Sequence, residues 1–283
     1  MAREAGALAG KHFRGKLIEA YFMHINSIAC GQGAPSIWLI IEAGRGLFPA
    51  DLVQVYDTGN ENDMLWSTGQ HTTAGEFFEQ VTKPLAEEFG VEAVFVRAND
   101  GNGNPRPPLH LDQRNNGKVE IDLPMFGSNG GRLMQSCTDK WKKQAGRQEL
   151  RRRGATSATT YLGLTMDEVH RIKQNDVRWE HLEWPLITMK KMYRAEIERE
   201  INKMNIPYII RSQCDFCPHK NLFRWRNSSP GTIAAAAKFE AEVGKGDFFL
   251  TDLRIPLIDA LRNLEDGQSM SFFDTCDSGY CFT

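Results

Sequence analysis

The sequence predicts an α/β fold: a Rossmann-like parallel sheet sandwiched by helices, followed by a helical C-terminal part that bears cysteines. Three observations carry this. Short apolar runs alternate with helical stretches through the first third of the chain, the pattern of a parallel sheet with crossover helices. A glycine turn follows the first apolar run directly and opens a helix. Capping sequences recur ahead of later helices. The composition agrees, because 41% hydrophobic and 25% charged residues suit a globular chain and are too apolar for a disordered one.

Taken in order, Phe22–Ala29 reads as the first strand, ending in Gly31-Gln32-Gly33-Ala34-Pro35-Ser36. A helix from about Pro35 to Ala43 follows, with proline suited to its first turn. Leu52–Tyr56 is a second strand running into Asp57-Thr58-Gly59, and Thr73-Ala74-Gly75-Glu76 is a capping box for a helix reaching about Phe89. Ala93–Arg97 is a third strand. Residues 99–117, crowded with Asn, Gly and Pro, read as a long irregular loop, and Gly127–Gly131 as a second flexible stretch. A basic helix covers about Cys137–Arg153, Thr159–Leu164 is a fourth strand, and Thr165-Met166-Asp167-Glu168 caps another helix. A long amphipathic helix is expected over Thr188–Met204, and the chain beyond Cys217 is mostly helical. The expected organisation is an N-terminal extension at 1–21, an α/β nucleotide-binding domain at 22–187 and a helical region at 188–283.

The charge is nearly balanced, with 34 Lys and Arg against 36 Asp and Glu and a formal net charge of -2. Bulk charge therefore does not hold this chain to nucleic acid or membranes, though a local basic patch remains open. The longest aliphatic-aromatic run is Ile37–Ile41, far short of the roughly 20 residues a spanning helix needs. With no apolar leader at Met1–Gly6, the expectation is a soluble, cytoplasmic protein with no membrane partner.

Six cysteines in a reducing compartment point to metal or an iron–sulfur cluster more than to disulfides. Cys214 and Cys217 form Cys-Asp-Phe-Cys, and Cys276 and Cys281 form a second pair near the C-terminus, while Cys30 and Cys137 stand alone. Convergent thiolates hold soft metals well; the competing reading is that buried cysteines act as small hydrophobes.

The strongest phosphate signal is strand, Gly31-x-Gly33-x-x-Ser36, helix: glycines admit phosphate to the backbone amides, the helix end adds positive dipole, and Ser36 offers a hydroxyl. The turn lacks the Lys-Ser/Thr of a Walker A loop and the third Rossmann glycine. Asp57-Thr58-Gly59 leaves the end of the second strand, where Asp57 and nearby Glu61 can bind magnesium or a ribose hydroxyl, or simply cap the turn. Lys140, Lys143, Arg147 and Arg151 fall at offsets 0, 3, 7 and 11, one helical face that can hold phosphates or be a plain solvated stripe. Glu168 and Arg171, at i and i+3, form either a surface pair or a phosphate clamp.

Read together, Gly31–Ser36, Asp57-Thr58-Gly59, Cys137-Thr138, Leu162-Gly163-Leu164 with Asp167-Glu168 and Arg171, Trp184-Pro185-Leu186 and Cys214-Asp-Phe-Cys217-Pro218-His219 resemble the phosphoadenosine phosphosulfate (PAPS) reductase-like family. These are proteins of the adenine-nucleotide alpha-hydrolase (PP-loop) superfamily, here closest in pattern to a phage and bacterial branch related to the DNA phosphorothioation sulfurtransferase. The resemblance runs from about residue 22 to the C-terminus. It implies a five-stranded parallel sheet with ATP or PAPS at Gly31–Ser36, and Thr58, Gly59, Lys140 and Arg171 near the nucleotide. It also implies a role for Asp57 beside ribose or metal, and a [4Fe-4S] cluster on Cys137, Cys214 and Cys217 with Cys276 or Cys281 as a fourth ligand. Cys137 and Asp57 would be the catalytic pair.

Two departures stand out. Gly31 and Pro35 replace the first Ser and the Asp of the common Ser-Gly-Gly-x-Asp-Ser loop, and the tail lacks the Glu-Cys-Gly-(Ile/Leu)-His ending of true PAPS reductases. The expected function is adenine-nucleotide-dependent sulfur transfer to nucleic acid (DNA or tRNA, through the basic helix 137–153) or to a small acceptor, with a sulfur-donor protein as a further partner. The alternatives are a sulfonucleotide reductase with a C-terminal cysteine nucleophile, and a non-catalytic nucleotide-binding subunit with structural zinc.

Overall fold

The structure is a computed structural model that describes residues 22–100, 102–107, 114, 115, 118, 119, 121–173, 175, 177–210 and 212–265. The expected N-terminal extension, part of the 99–117 loop, and Cys276 and Cys281 lie outside the described residues.

Five parallel strands form the central sheet: β1 His24–Cys30, β2 Leu52–Asp57, β3 Glu92–Arg97, β4 Ser157–Leu162 and β5 Glu180–Glu183, in the order β5-β4-β1-β2-β3. The fold is therefore α/β, as the alternation of apolar runs implied. Ser27 pairs with Leu52, His24 with Ser157, Leu52 with Glu92 and Glu180 with Ala158, which aligns the carboxyl ends of the strands along one edge.

Because side chains alternate along a strand, each strand supplies both faces of the sheet. Ile28 and Cys30 of β1 and Val53 and Val55 of β2 pack under α1 (Ala34–Gly44), the helix at residues 74–88 (α2) and Arg194–Lys203. Ala29, Tyr56 and Val96 face the other way, toward the helix at residues 139–152 (α3). That second cluster also takes in Trp225, Phe239 and Leu257 from the C-terminal helices Leu222–Arg226, Pro230–Phe239 and Leu257–Glu265. Both cores thus draw on residues from either side of position 188.

Several elements differ from the sequence reading. The single helix expected over Thr188–Met204 is instead a one-turn helix, Pro185–Thr188, and a separate helix, Arg194–Lys203. Lys191 adopts φ 52 between them, and the Met192 amide returns to the Leu186 carbonyl at 2.8 Å, so the chain reverses where a continuous helix would run on. The stretch expected to be flexible at Gly127–Gly131 is a turn closed by a bridge between Phe126 and Arg132, and Phe126–Gly127 also pairs antiparallel with Phe248–Phe249. α3 opens with a π-helical turn, Asp139–Lys143, whose wider winding carries one extra residue and rotates the lysines within it relative to the arginines after it. The box at Thr165 caps a 3₁₀ helix, Met166–Arg171.

Candidate functional site

Connections step outward from β1 to β2 and β3, then return to the far side of β1 as β4. The reversal lies between β1 and β4, and open α/β sheets bind ligands outside the carboxyl ends at such a point. The Gly31–Ser36 turn sits there. Gly33 is the extended N-cap of α1, and its carbonyl accepts from the Ser36 and Ile37 amides and from Ser36 Oγ, each at 3.0 Å. The Ser36 hydroxyl is thus engaged inside the turn, and Pro35 offers no N–H.

The rest of the turn is tied down as well. Gln32 stands at φ 62, gives its side-chain amide to the Ala74 carbonyl at 3.1 Å and takes the Ile209 amide at 2.9 Å. A Cβ on Gly31 would reach Ser212 Oγ at 3.6 Å. Cys30 is buried behind the turn; burial pushes its thiol up to about 11 against weaker hydrogen bonds from Gln32 and Ser36, so it stays a thiol.

The loop after β2 builds the second wall. Asp57 is half-buried, accepts the Gly59 amide at 2.7 Å and lies 4.0 Å from Arg97 Nε, while Gly59 takes φ 65, a turn that glycine makes without strain. Thr58 turns inward, 3.6 Å from Cys214 Sγ. Glu61 is buried, with Oε1 3.1 Å from Lys142 Nζ and 3.6 Å from Cys214 Sγ.

The Cys214–Cys217 segment is a tight knuckle, the Cys217 amide donating to the Cys214 carbonyl at 3.1 Å. Asp215, between the thiols, binds it to the β2 loop. Its carboxylate accepts the Asn62 and Asp63 amides, each at 3.1 Å, and Asn62 Nδ2 at 3.0 Å. Burial raises the pKa of Asp215, and these bonds only partly offset it. Lys220 Nζ then donates to the Asp215 carbonyl at 3.0 Å.

Cys137, at the entry to α3, joins Cys214 and Cys217 around one small cavity of about 20 Å³, with Thr58, Lys142 and His219 among its other walls. His219 meets Gln135 Oε1 through Nε2 at 3.2 Å and Arg132 through Nδ1 at 3.4 Å. Burial, then the Arg132 charge, push its pKa down to about 4, which keeps the ring neutral. Three thiols and a neutral imidazole are a soft-metal donor set, and the volume suits about one water-sized occupant better than the eight-atom core of a [4Fe-4S] cluster. Among the described residues no three His, Cys, Asp or Glu side chains already stand in ligand geometry.

The basic face expected along α3 is half-buried at Lys140, Lys143 and Arg147 and exposed at Arg151, and three of its residues are engaged within the chain. Lys140 pairs with Asp122 at 2.7 Å, Arg147 with Glu180 at 2.7 Å, and Arg151 lies 3.8 Å over the Trp179 ring while donating to the Ala155 carbonyl. Arg171 and Glu168 are not a surface pair: they meet at 2.5 Å with both side chains buried. Arg171 instead lines a cavity beneath α3 that shares no residue with the Gly31–Ser36 turn.

Of the expected site residues, Cys137, Thr58, Cys214 and Cys217 come together. Asp57 and Gly59 lie on the same loop, whereas Gly31, Gly33 and Ser36 form the separate β1 turn. His219, Lys142 and Asp215 were not singled out from the sequence, although Asp215 and His219 stand within and beside the Cys-x-x-Cys motif that was. No helix among the described residues is long and apolar enough to cross a membrane. No known protein-family model matches the chain, and no curated protein matches it.

Proposed function

We propose that this protein is a thiol-dependent sulfur-transfer enzyme that works with an adenine nucleotide. The observation that carries the reading is the meeting of Cys137 with Cys214 and Cys217, from distant stretches of sequence, beside the carboxyl end of β2. The motif order shared with PAPS reductase-like proteins supplies the nucleotide. In this reading Cys137, Cys214 and Cys217 would hold a soft metal that keeps sulfide at hand. Lys142 holds Glu61 in place beside the Cys214 sulfur, where its carboxylate can take the thiol proton. ATP adenylates the acceptor oxygen with release of pyrophosphate, and attack by sulfide on the carbon that bears that oxygen then displaces AMP. Because Lys140, Arg147 and Arg151 are engaged within the chain, a small acceptor fits better than nucleic acid.

The test is anaerobic incubation of the pure protein with ATP, sulfide and a panel of small acceptors, following AMP release and thiolated product by mass. Product that disappears in Cys137→Ala and Cys214→Ser supports the reading. Absence of both AMP and product from the wild type overturns it.

A second reading is a structural zinc site, favoured by the size of the thiol cavity. Stoichiometric zinc on a protein without turnover, lost together with stability in Cys217→Ser, would establish it.

A further inference from the structure

The cavity beneath α3 has a volume of about 190 Å³ and is walled by the faces of β2, β4 and β5. Three buried polar atoms without a hydrogen-bond partner belong to side chains that line it: Arg171 Nε, Trp184 Nε1 and Gln54 Oε1. A buried polar atom left unpaired costs about 1–3 kcal/mol, so three around one cavity point to an occupant that pairs them.

The chemistry of that occupant follows from the lining. Lys143, Arg147, Arg171 and Lys173 line it as cations beside the carboxylates of Asp139 and Glu180, and Arg171 already carries the buried Glu168 at 2.5 Å, so the cations left over are the two lysines. Glu180 is already committed, with Oε2 on Arg147 at 2.7 Å and Oε1 on the Thr160 hydroxyl at 2.8 Å. Lys143 and Lys173 have no ion-pair partner among the described residues. Two orphan N–H donors and two unpaired ammonium groups call for an anion. Gln54 gives its amide N–H to Ser27 Oγ at 2.7 Å, which leaves its carbonyl oxygen needing a donor on the ligand. An oxyanion that keeps a proton near neutral pH meets both demands.

We propose that this cavity binds a phosphate group, as inorganic phosphate or a small phosphomonoester. The Arg171 fork and the Trp184 indole donate to its oxygens, and Gln54 accepts from a protonated one. Sulfate, which carries no proton at neutral pH, leaves Gln54 Oε1 unpaired and is the discriminating competitor. The site shares no residue with the Gly31–Ser36 turn or with the thiol cavity, and it stands independently of the sulfur-transfer reading.

The test is calorimetric titration of the full chain with inorganic phosphate and, separately, with sulfate near neutral pH. Phosphate is expected to bind at least about tenfold more tightly than sulfate, the worth of about one hydrogen bond. Trp184→Phe, which removes only the N–H, and Lys143→Gln, a half-exposed position safe for folding, should each weaken phosphate by about tenfold. Weakening in Lys143→Gln alone is sufficient support if Trp184→Phe fails to fold. Equal affinity for the two anions, no heat with phosphate, or unchanged affinity in Lys143→Gln would each overturn the proposal.

Discussion

Gly163 lies directly against Ser36: a Cβ at position 163 would stand 2.9 Å from the Ser36 amide nitrogen and 3.0 Å from the Pro35 carbonyl carbon. Both obstacles are backbone at the first turn of α1, so neither can swing aside. Gly163→Ala should separate the ends of β1 and β4 and destabilise the fold by about 1–3 kcal/mol. A lowered midpoint in urea unfolding, with m unchanged, is the expected result; an unaltered midpoint would show that the two loops slide freely.

Lys142 and Glu61 form a buried pair at 3.1 Å, with side-chain exposures of 8% and 6%. Removing one partner strands the other charge, so Lys142→Met should cost about 3–5 kcal/mol. Adding Glu61→Gln to that variant should recover part of the loss. A double-mutant cycle in denaturant measures the coupling, and additive losses would mean that the pair contributes nothing.

The thiols should differ in reactivity. Cys137 is half-exposed, whereas Cys30, Cys214 and Cys217 are buried. Brief treatment of the native protein with iodoacetamide should label Cys137 about tenfold faster than Cys30, whose thiol burial keeps protonated. Peptide mass spectrometry reads the order directly, and preferential labelling of Cys30 would contradict the packing behind the β1 turn.

Glu240 carries a pH dependence. Its carboxylate accepts the Leu250 amide at 2.6 Å and the Leu257 amide at 2.7 Å, yet burial raises its pKa above 4.5 despite those bonds. Between 4.5 and that raised value the folded chain binds more protons than the unfolded one, so this residue's share of stability grows as pH falls through the window. Glu240→Gln should lose that slope. It should also lose about 1–3 kcal/mol, because an amide N–H replaces one acceptor opposite a backbone N–H. Identical pH–stability profiles for the two proteins would refute the assignment.

The parts of the fold that were legible from sequence are those written in apolar residues. β1, β2, β3 and β4 fall within two residues of the expected strands because each carries aliphatic, aromatic or β-branched residues bounded by turn signals, even at the half-buried edge strand β3. β5 escaped notice because Glu-His-Leu-Glu has one apolar residue, which suffices at an exposed edge of the sheet. The break at Lys191 has no residue-type signal, since a left-handed lysine is held there by the turn from Met192 to the Leu186 carbonyl and by the Met166 amide on the Met192 carbonyl. The thiols were legible as residue types with a spacing. Their meeting with Cys137 depends on where the chain folds back, as does the fate of the basic stripe, which was spent on Asp122, Glu180 and Trp179.

The π-helical turn at Asp139–Lys143 makes neighbours in sequence into strangers in space. Lys142 faces the thiol chamber, while Lys143 and, one turn on, Arg147 face the larger chamber under the sheet. The first turns of α3 are therefore a party wall between two rooms, each furnished with its own cation. Adjacent residues of one turn thus serve two chambers that have no lining residue in common.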